Sequence, residues 1–198
     1  MAIKRTNVKK AIEKRRAYRS LEAIKINDSL IKELAHVAQI APSCNNNQPW
    51  RFIFVYDKVQ LQKLFTTLTK HNNWIEKTSM MIAVYSTPKN DCIIKEREYY
   101  LFDTGLAVAF IILRATELGL VAHPIAGFNE EKAKEILDIP PEMRLITFIN
   151  IGKHSKEINP VLSENMKLGE KQRPPRKPLS DLMYINKYGI KFHENQNS

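Results

Sequence analysis

The residues best placed to do chemistry here are cationic or backbone donors. No nucleophile sits beside a base. Arg15-Arg-Ala-Tyr-Arg19 puts three guanidinium groups into five residues, and Arg173, Arg176 and Lys177 form a second basic cluster near the other end. A guanidinium fork donates paired hydrogen bonds to phosphate oxygens, each contributing on the order of 1.5–3 kcal/mol. The two clusters could converge on one phosphate. The plainer alternatives are a solvated helix end, where Arg favours the negative pole of the dipole, and a solvated tail. Ala41-Pro-Ser-Cys-Asn-Asn-Asn-Gln-Pro-Trp50 is a loop of turn formers whose Asn side chains can satisfy their own backbone. Pro124-Ile-Ala-Gly-Phe128 reads as a strand end and tight turn, with Gly127 allowing close backbone approach. Cys44 and Cys92 are the only cysteines, lie far apart and form no CxxC. They predict neither a disulfide framework nor a zinc knuckle. Cys44 is read as a small buried apolar residue, with a reactive thiol as the alternative. The five histidines are scattered, and no metal site is legible.

Periodicity supplies the elements that must position these groups. A first helix starts near Thr6 or Asn7 and ends near Arg15. A second starts at Asn27 or Asp28 with Leu30, Leu34, Val37 and Ala38 as its apolar stripe, and Pro42 stops it. A strand from Trp50 to Tyr56 follows the loop directly. Lys58 to Leu68 is helical, and Met80 to Tyr85 is a fully apolar strand. The longest element is a helix from about Ile94 to Leu118, roughly 37 Å at 1.5 Å per residue. Its middle, Leu106 to Leu113, is apolar on every side, which predicts burial all round, in the core or in a subunit interface. Gly119 closes it, Leu120-Val121-Ala122 begins a strand that Pro124 ends early, and Asn129 caps a short helix reaching Leu137. Leu145 to Ile151 is the last clear strand, and the proline-rich tail beyond it cannot build a core alone. Two helices before the first strand, then short strands separated by helices, predict an α+β protein. No GxGxxG follows a strand and no GxxxxGK[ST] loop is present, so nucleotide phosphate must be held some other way.

Four segments together resemble the nitroreductase family: Arg15-Arg-Ala-Tyr-Arg19, Ala41 to Trp50, the helix containing Asp103-Thr-Gly-Leu106 and Glu117-Leu-Gly-Leu120, and Pro124 to Phe128. Their order and separations extend from about Arg15 to Leu182. The resemblance implies a central mixed, mostly antiparallel sheet flanked by helices, a long central helix, and a C-terminal arm exchanged between the subunits of a homodimer. It implies one FMN-binding domain over residues 1–198, with 160–198 as the arm partly packed on the partner. Arg15, Arg16, Ala17 and Arg19 then meet the FMN phosphate, with Ala17 standing where relatives often carry Ser. Pro42, Ser43, Cys44 and Asn46 line the flavin of the opposite subunit, and Gln48 helps shape the loop. Pro124, Ile125, Ala126 and Gly127 pass beside the ring, offering the Ala126 and Gly127 N–H groups to its N5 and O4. Arg173, Arg176 and Lys177 complete the phosphate site, and Asn72 or Asn73 contacts the pyrimidine edge. The activity implied is FMN-dependent reduction of nitroaromatics, quinones or similar small electron-poor acceptors by NADH or NADPH, in a ping-pong cycle. No side chain need serve as acid or base, because the cofactor carries the chemistry.

Composition bounds the remaining alternatives. A chain of 198 residues with 43% hydrophobic and 26% charged residues is an ordinary globular domain. The apolar run from Gly105 to Leu113 falls short of the roughly 20 residues that cross a bilayer. No secretory h-region follows the basic N-terminus, so the expectation is cytoplasmic, with no membrane. The net charge of +10 admits a nucleic-acid module, but no recognised motif supports one and nucleic acid is not the expected partner. Two other readings share the scaffold: a different reduction, of an enone or by dehalogenation, and a non-catalytic flavin sensor.

Overall fold

The run Met80–Ser86 is apolar through Val84, and a strand apolar on both faces must be covered on both sides. The computed structural model, which describes residues 8–191, supplies both covers. In chain order the elements are α1 (Val8–Lys14), β1 (Leu21–Glu22), α2 (Asp28–Gln39), β2 (Arg51–Val55), α3 (Lys58–Phe65), β3 (Met80–Ser86), β4 (Ile93–Ile94), β5 (Arg97–Glu98), α4 (Tyr99–Glu117), β6 (Val121–Ile125), α5 (Glu130–Ile136), β7 (Arg144–His154) and α6 (Glu164–Lys171). The main sheet runs β1-β7-β3-β2, with β6 also on β7, and every pairing is antiparallel. The expected α+β architecture, helices on an antiparallel sheet with a long central helix, is therefore present.

Alternation along β3 divides the core in two. Met80, Ile82 and Val84 point to a layer built by α2 and α4, with Leu34, Ala38, Ala107, Ile111 and Ala115. Met81 and Ala83 point the other way, toward Leu61, Leu64, Trp74, Ile75 and Phe148. Fully buried residues such as Ile82 and Ile111 each contribute on the order of 1.5–3 kcal/mol by leaving water. The helix starts follow local chemistry: Asn27, Asp57, Asn129 and Ser163 each accept an amide N–H from the first turn of the helix they cap. The predicted cap of the first helix, at Thr6 or Asn7, lies outside the described residues.

Two expectations are corrected. The long helix begins at Tyr99 rather than Ile94, because Ile93–Ile94 and Arg97–Glu98 fold as a hairpin with Lys95 and Glu96 at positive φ. Within the chain, Ala107 and Ile111 of its middle pack inward and Phe110 is exposed, as are Leu101 and Phe102 in its first turn. That helix is long and apolar enough to cross a membrane by length and composition, but it packs on the sheet as the core helix of α2 and β3. The second correction is that Pro124 does not end its strand. β6 continues through Pro124 to Ile125, since β6 is an edge and a residue without N–H is tolerated at its outward-facing position.

Candidate functional site

The segment after α1 crosses the sheet edge and is held there by groups from distant parts of the chain. Glu170 on α6, whose side chain is only 3% exposed, accepts the backbone N–H of Arg19 at 2.8 Å and of Ser20 at 3.1 Å. Its carboxylate also lies 3.5 Å from His154 Nε2. Tyr18 stacks on His154 with ring centroids 3.6 Å apart, and the Arg16 guanidinium lies 4.7 Å from the Tyr18 ring centroid. The Tyr18 carbonyl accepts from Nδ1 of His123 at 3.0 Å, so that ring nitrogen carries the proton. Burial pushes the His123 imidazole down to about 4, helped by Arg19 and Arg15 and opposed by the Tyr18 carbonyl and Glu170.

The two basic clusters converge. Arg173 donates from Nη2 to the carbonyls of Glu13 and Arg15, which lays the chain after α6 over the end of α1. The Arg15 guanidinium is held below its ordinary value by burial and then by the like charges of Arg173, Arg176 and Arg16. Among the described residues none of Arg15, Arg16, Arg19, Arg173, Arg176 or Lys177 forms an ion pair with a carboxylate. Cations that repel one another and lack counter-charges are relieved by an anion carrying more than one negative charge. Arg16 is partly committed elsewhere, donating to the Gly169 carbonyl. Lys177 is exposed and makes no contact that ties it to the cluster.

From His123 the strand β6 leads to the second predicted feature, roughly 13 Å on at about 3.3 Å per residue. In an antiparallel ladder alternate residues face the neighbour, and Pro124, having no N–H, occupies a position facing away from β7. Ala126, just past the end of β6, is exposed. Gly127 is required by packing: a Cβ there would meet Thr69 Oγ1 at 2.6 Å and Asn72 Nδ2 at 2.8 Å. Its carbonyl accepts from Thr69 N at 3.0 Å and Asn72 Nδ2 at 2.9 Å, so Asn72 is engaged while Asn73 remains exposed.

The third predicted feature, the loop between α2 and β2, is strained and internally braced. Asn45, Asn46 and Gln48 have φ of 49°, 57° and 50°, in the left-handed region that Asn tolerates better than most residues. Ser43 Oγ accepts Gln48 N at 3.0 Å and Gln48 Nε2 donates to the Asn46 carbonyl at 3.1 Å. Cys44 N donates to Asp103 on α4 at 2.6 Å. Burial pushes the Asp103 carboxyl up, against the Cys44 amide, and the nearby Asp91 adds to the rise. One expectation fails here: Cys44 is neither isolated nor a buried apolar filler. It is half-buried and disulfide-bonded to Cys92, brought in by the turn that precedes the β4–β5 hairpin. Spacing could not show this, because the pairing is made by tertiary packing across 48 residues.

These features do not all meet within one chain. Arg16, Tyr18 and His154 line a hollow with Thr116 and Gly119 at the C-terminal end of α4. Tyr100 and Leu101 line another with Ala126 at its N-terminal end, where Asp103 also binds the Cys44 loop. Asp103 and Thr116 stand about 20 Å apart along the axis. A separate groove between β2 and α5, lined by Val55, Tyr56, Gln60 and Leu137, contains none of the predicted residues.

This fold and these segments have counterparts. The model described as the Nitroreductase family matches residues 12–78 and 68–153. The chain belongs to the nitroreductase family. An Archaeoglobus fulgidus member, provisionally named NADH dehydrogenase/NAD(P)H nitroreductase, is 30% identical over 149 residues, covering 72% of this chain and 83% of the relative. An oxygen-insensitive NADPH nitroreductase of Helicobacter acinonychis is 24% identical over 162 residues, 64% of this chain and 77% of the relative. Among solved structures, a nitroreductase family protein from Clostridium novyi NT superimposes with a TM-score of 0.72 over 97% of this chain and 100% of its own, at 25% identity. An oxidoreductase containing FMN reaches a TM-score of 0.80 over 96% of both chains at 23% identity, a likeness of fold. Both basic clusters and the Ala126 turn thus lie on a nitroreductase framework. The residues that brace them, Glu170, His154 and Thr69, carried no local signal: each acts across dozens of residues of sequence, or more than a hundred.

Proposed function

We propose that this nitroreductase-family protein is an FMN-dependent oxidoreductase that uses NADH or NADPH to reduce nitroaromatics, quinones or similar small electron-poor acceptors. The observation that carries the reading is the convergence of Arg15 with Arg173 and Arg176, from opposite ends of the chain, without a carboxylate partner. That donor set fits a terminal phosphomonoester, and the names of the FMN oxidoreductase and the NADPH nitroreductase point the same way. Arg15, Arg173 and Arg176 hold the phosphate, Arg16 and Arg19 flank it, and Ala17 leaves room where a hydroxyl would stand. Lys177 adds long-range attraction. Pro124 and Ile125 form the wall beside the ring, and the Ala126 and Gly127 N–H groups bind its polar edge, with Asn73 at the pyrimidine side. When bound, the flavin supplies the two-electron chemistry, taking electrons from the nicotinamide and giving them to the acceptor in separate ping-pong half-reactions. The protein's part is binding, orientation and exclusion of water, with no side chain required as acid or base.

The active unit in this reading is a homodimer. The separation between the basic cluster and the Pro42–Gln48 loop within one chain favours a site completed by Pro42, Ser43, Cys44 and Asn46 of a second copy. The exposed Leu101, Phe102 and Phe110 on α4 supply an apolar face for that contact. The arm follows suit: up to Arg173 it is tied to its own chain, and Leu179, Leu182 and Tyr188 beyond are exposed and pack on the partner. The test is to purify the protein, add FMN, and follow flavin absorbance anaerobically with each nicotinamide. Yellow protein bleached by NADH or NADPH and recoloured by a quinone is expected. A protein that takes up no FMN sinks the reading, and one whose bound flavin resists both nicotinamides is a binder without this activity.

A further inference from the structure

The Cys44–Cys92 bond lies at the surface, outside both core layers, and joins two loops rather than two core elements. Both cysteines are half-buried, so a small nucleophile can reach them. A chain with an extensive two-layered core has no need of one disulfide to fold, unlike the small secreted domains that depend on several. The two sulfurs are unequal. Asn45 Nδ2 and Asn47 Nδ2 each donate to Cys92 Sγ at 3.4 Å, while among the described residues no donor reaches Cys44 Sγ. Amide donors stabilise negative charge on sulfur, which makes Cys92 the better leaving group, and the better leaving group directs attack to the other sulfur. The donors are themselves placed for this: Asn47 Nδ2 also reaches Asp91 Oδ1 at 3.3 Å, and Asn45 projects from a left-handed backbone at φ 49°.

We propose that Cys44–Cys92 is a thiol-exchange site for low-molecular-weight aliphatic thiols, with Cys44 as the sulfur that takes the adduct. A thiolate attacks Cys44 Sγ, a new S–S bond forms to the small thiol, and the Cys44–Cys92 bond breaks with its electron pair leaving on Cys92. A second thiolate attacks the small-thiol sulfur of that mixed disulfide and releases Cys44. Two thiols are oxidised to one small disulfide, the protein gains two electrons, and the two thiol protons are shared between solvent and the cysteines. The closed form clasps the loop after α2 to the turn before the β4–β5 hairpin, and the open form leaves that loop held by the Cys44 amide on Asp103 and the Ser43–Gln48 bond. This goes beyond the proposed reductase activity; because that reading sets Cys44 beside the flavin of a second copy, the exchange is followed on the protein without FMN and with saturating FMN, and bound FMN should slow the attack on Cys44.

The experiment incubates the folded protein with mixtures of reduced and oxidised glutathione, quenches by alkylation, and maps both cysteines by mass spectrometry. The expected result is reversible opening under native conditions, with a single glutathionyl adduct on Cys44 and alkylated Cys92. The double variant Asn45→Gly, Asn47→Ala places an achiral residue at the left-handed position, where it is unstrained, and removes both donors. Opening should slow roughly threefold to tenfold, with the adduct divided between the two cysteines. Wild-type mapping stands alone if that variant does not fold. A bond that opens only in denaturant makes it purely structural and overturns the proposal. An adduct on Cys92 overturns the assignment of roles. Retention of stoichiometric zinc by the reduced protein, through Cys44, Cys92 and Asp91, identifies a metal site instead.

Discussion

His123 ties the stability of the fold to pH. Its imidazole is buried between Trp74, whose ring centroid is 4.6 Å away, and the Tyr18 carbonyl, with Arg19, Arg15 and Glu170 as the charges that face it. The folded value of about 4 lies below the ordinary 6.5, so between those limits the unfolded chain binds a proton that the folded chain refuses. Stability is therefore fully present above about pH 6.5 and is lost as pH falls toward 4. The separation corresponds to about 3 kcal/mol at 1.36 kcal/mol per unit. Relative to pH 7.5, linkage gives a loss of about 1.3 kcal/mol at pH 5.5 and about 2.5 kcal/mol at pH 4.5. Carboxylates titrate in the lower part of this range, so the measurement is a comparison. Urea unfolding at pH 7.5, 6.5, 5.5 and 4.5 is run on the wild type and on His123→Asn, whose amide can still donate to Tyr18 but does not titrate. The wild-type curve should fall more steeply, by the amounts given. Parallel curves would refute the argument that His123 is neutral in the fold, and a variant that falls more steeply would reverse its sign.

Gly127→Ala should cost about 1–2 kcal/mol, because Thr69 is exposed enough to rotate but Asn72 must leave the Gly127 carbonyl. The loss should shrink in a Thr69→Ser background, which removes Thr69 Cγ2 and eases rotation of the hydroxyl, and additive losses would refute the crowding. Arg15→Ala should weaken FMN retention, measured by equilibrium dialysis, by about tenfold or more, on the scale of one charge-assisted bond lost. Lys9→Ala, on the exposed face of α1, should change it little, and equal effects would count against the phosphate site.

Much of the framework was legible because it rests on short-range rules. Asn27 and Asn129 cap helices as their types demand, and Met80–Val84 forms a doubly buried strand because nothing polar interrupts it. The strand ends were less legible. Lys95 and Glu96 adopt positive φ in a hairpin that no Gly announces, so a helical reading ran through them. β7 extends to His154, beyond the apolar run, because β1 supplies a partner for its polar end at Lys153 and His154. The candidate site divides in the same way. The arginines stand out by type and their meeting was a fair expectation, whereas Glu170, which fixes the Arg19–Ser20 backbone, looks like any charged residue on a short helix until the fold buries it. The sulfur pair was lost for the complementary reason: neither cysteine has a neighbour in sequence that says where the other will be.

Pro124 has a consequence for the protein's life in concentrated solution. Among the described residues β6 pairs only with β7 and Pro124 is its one exposed residue, and an exposed edge with regular donors and acceptors is a template on which a stray strand can add and aggregation can grow. Proline at an outward-facing position removes a donor from that row at the fourth residue of a five-residue strand. The residue therefore guards the edge against other backbones. Replacing it with a β-former such as Val would be expected to trade that guard for a continuous sticky margin.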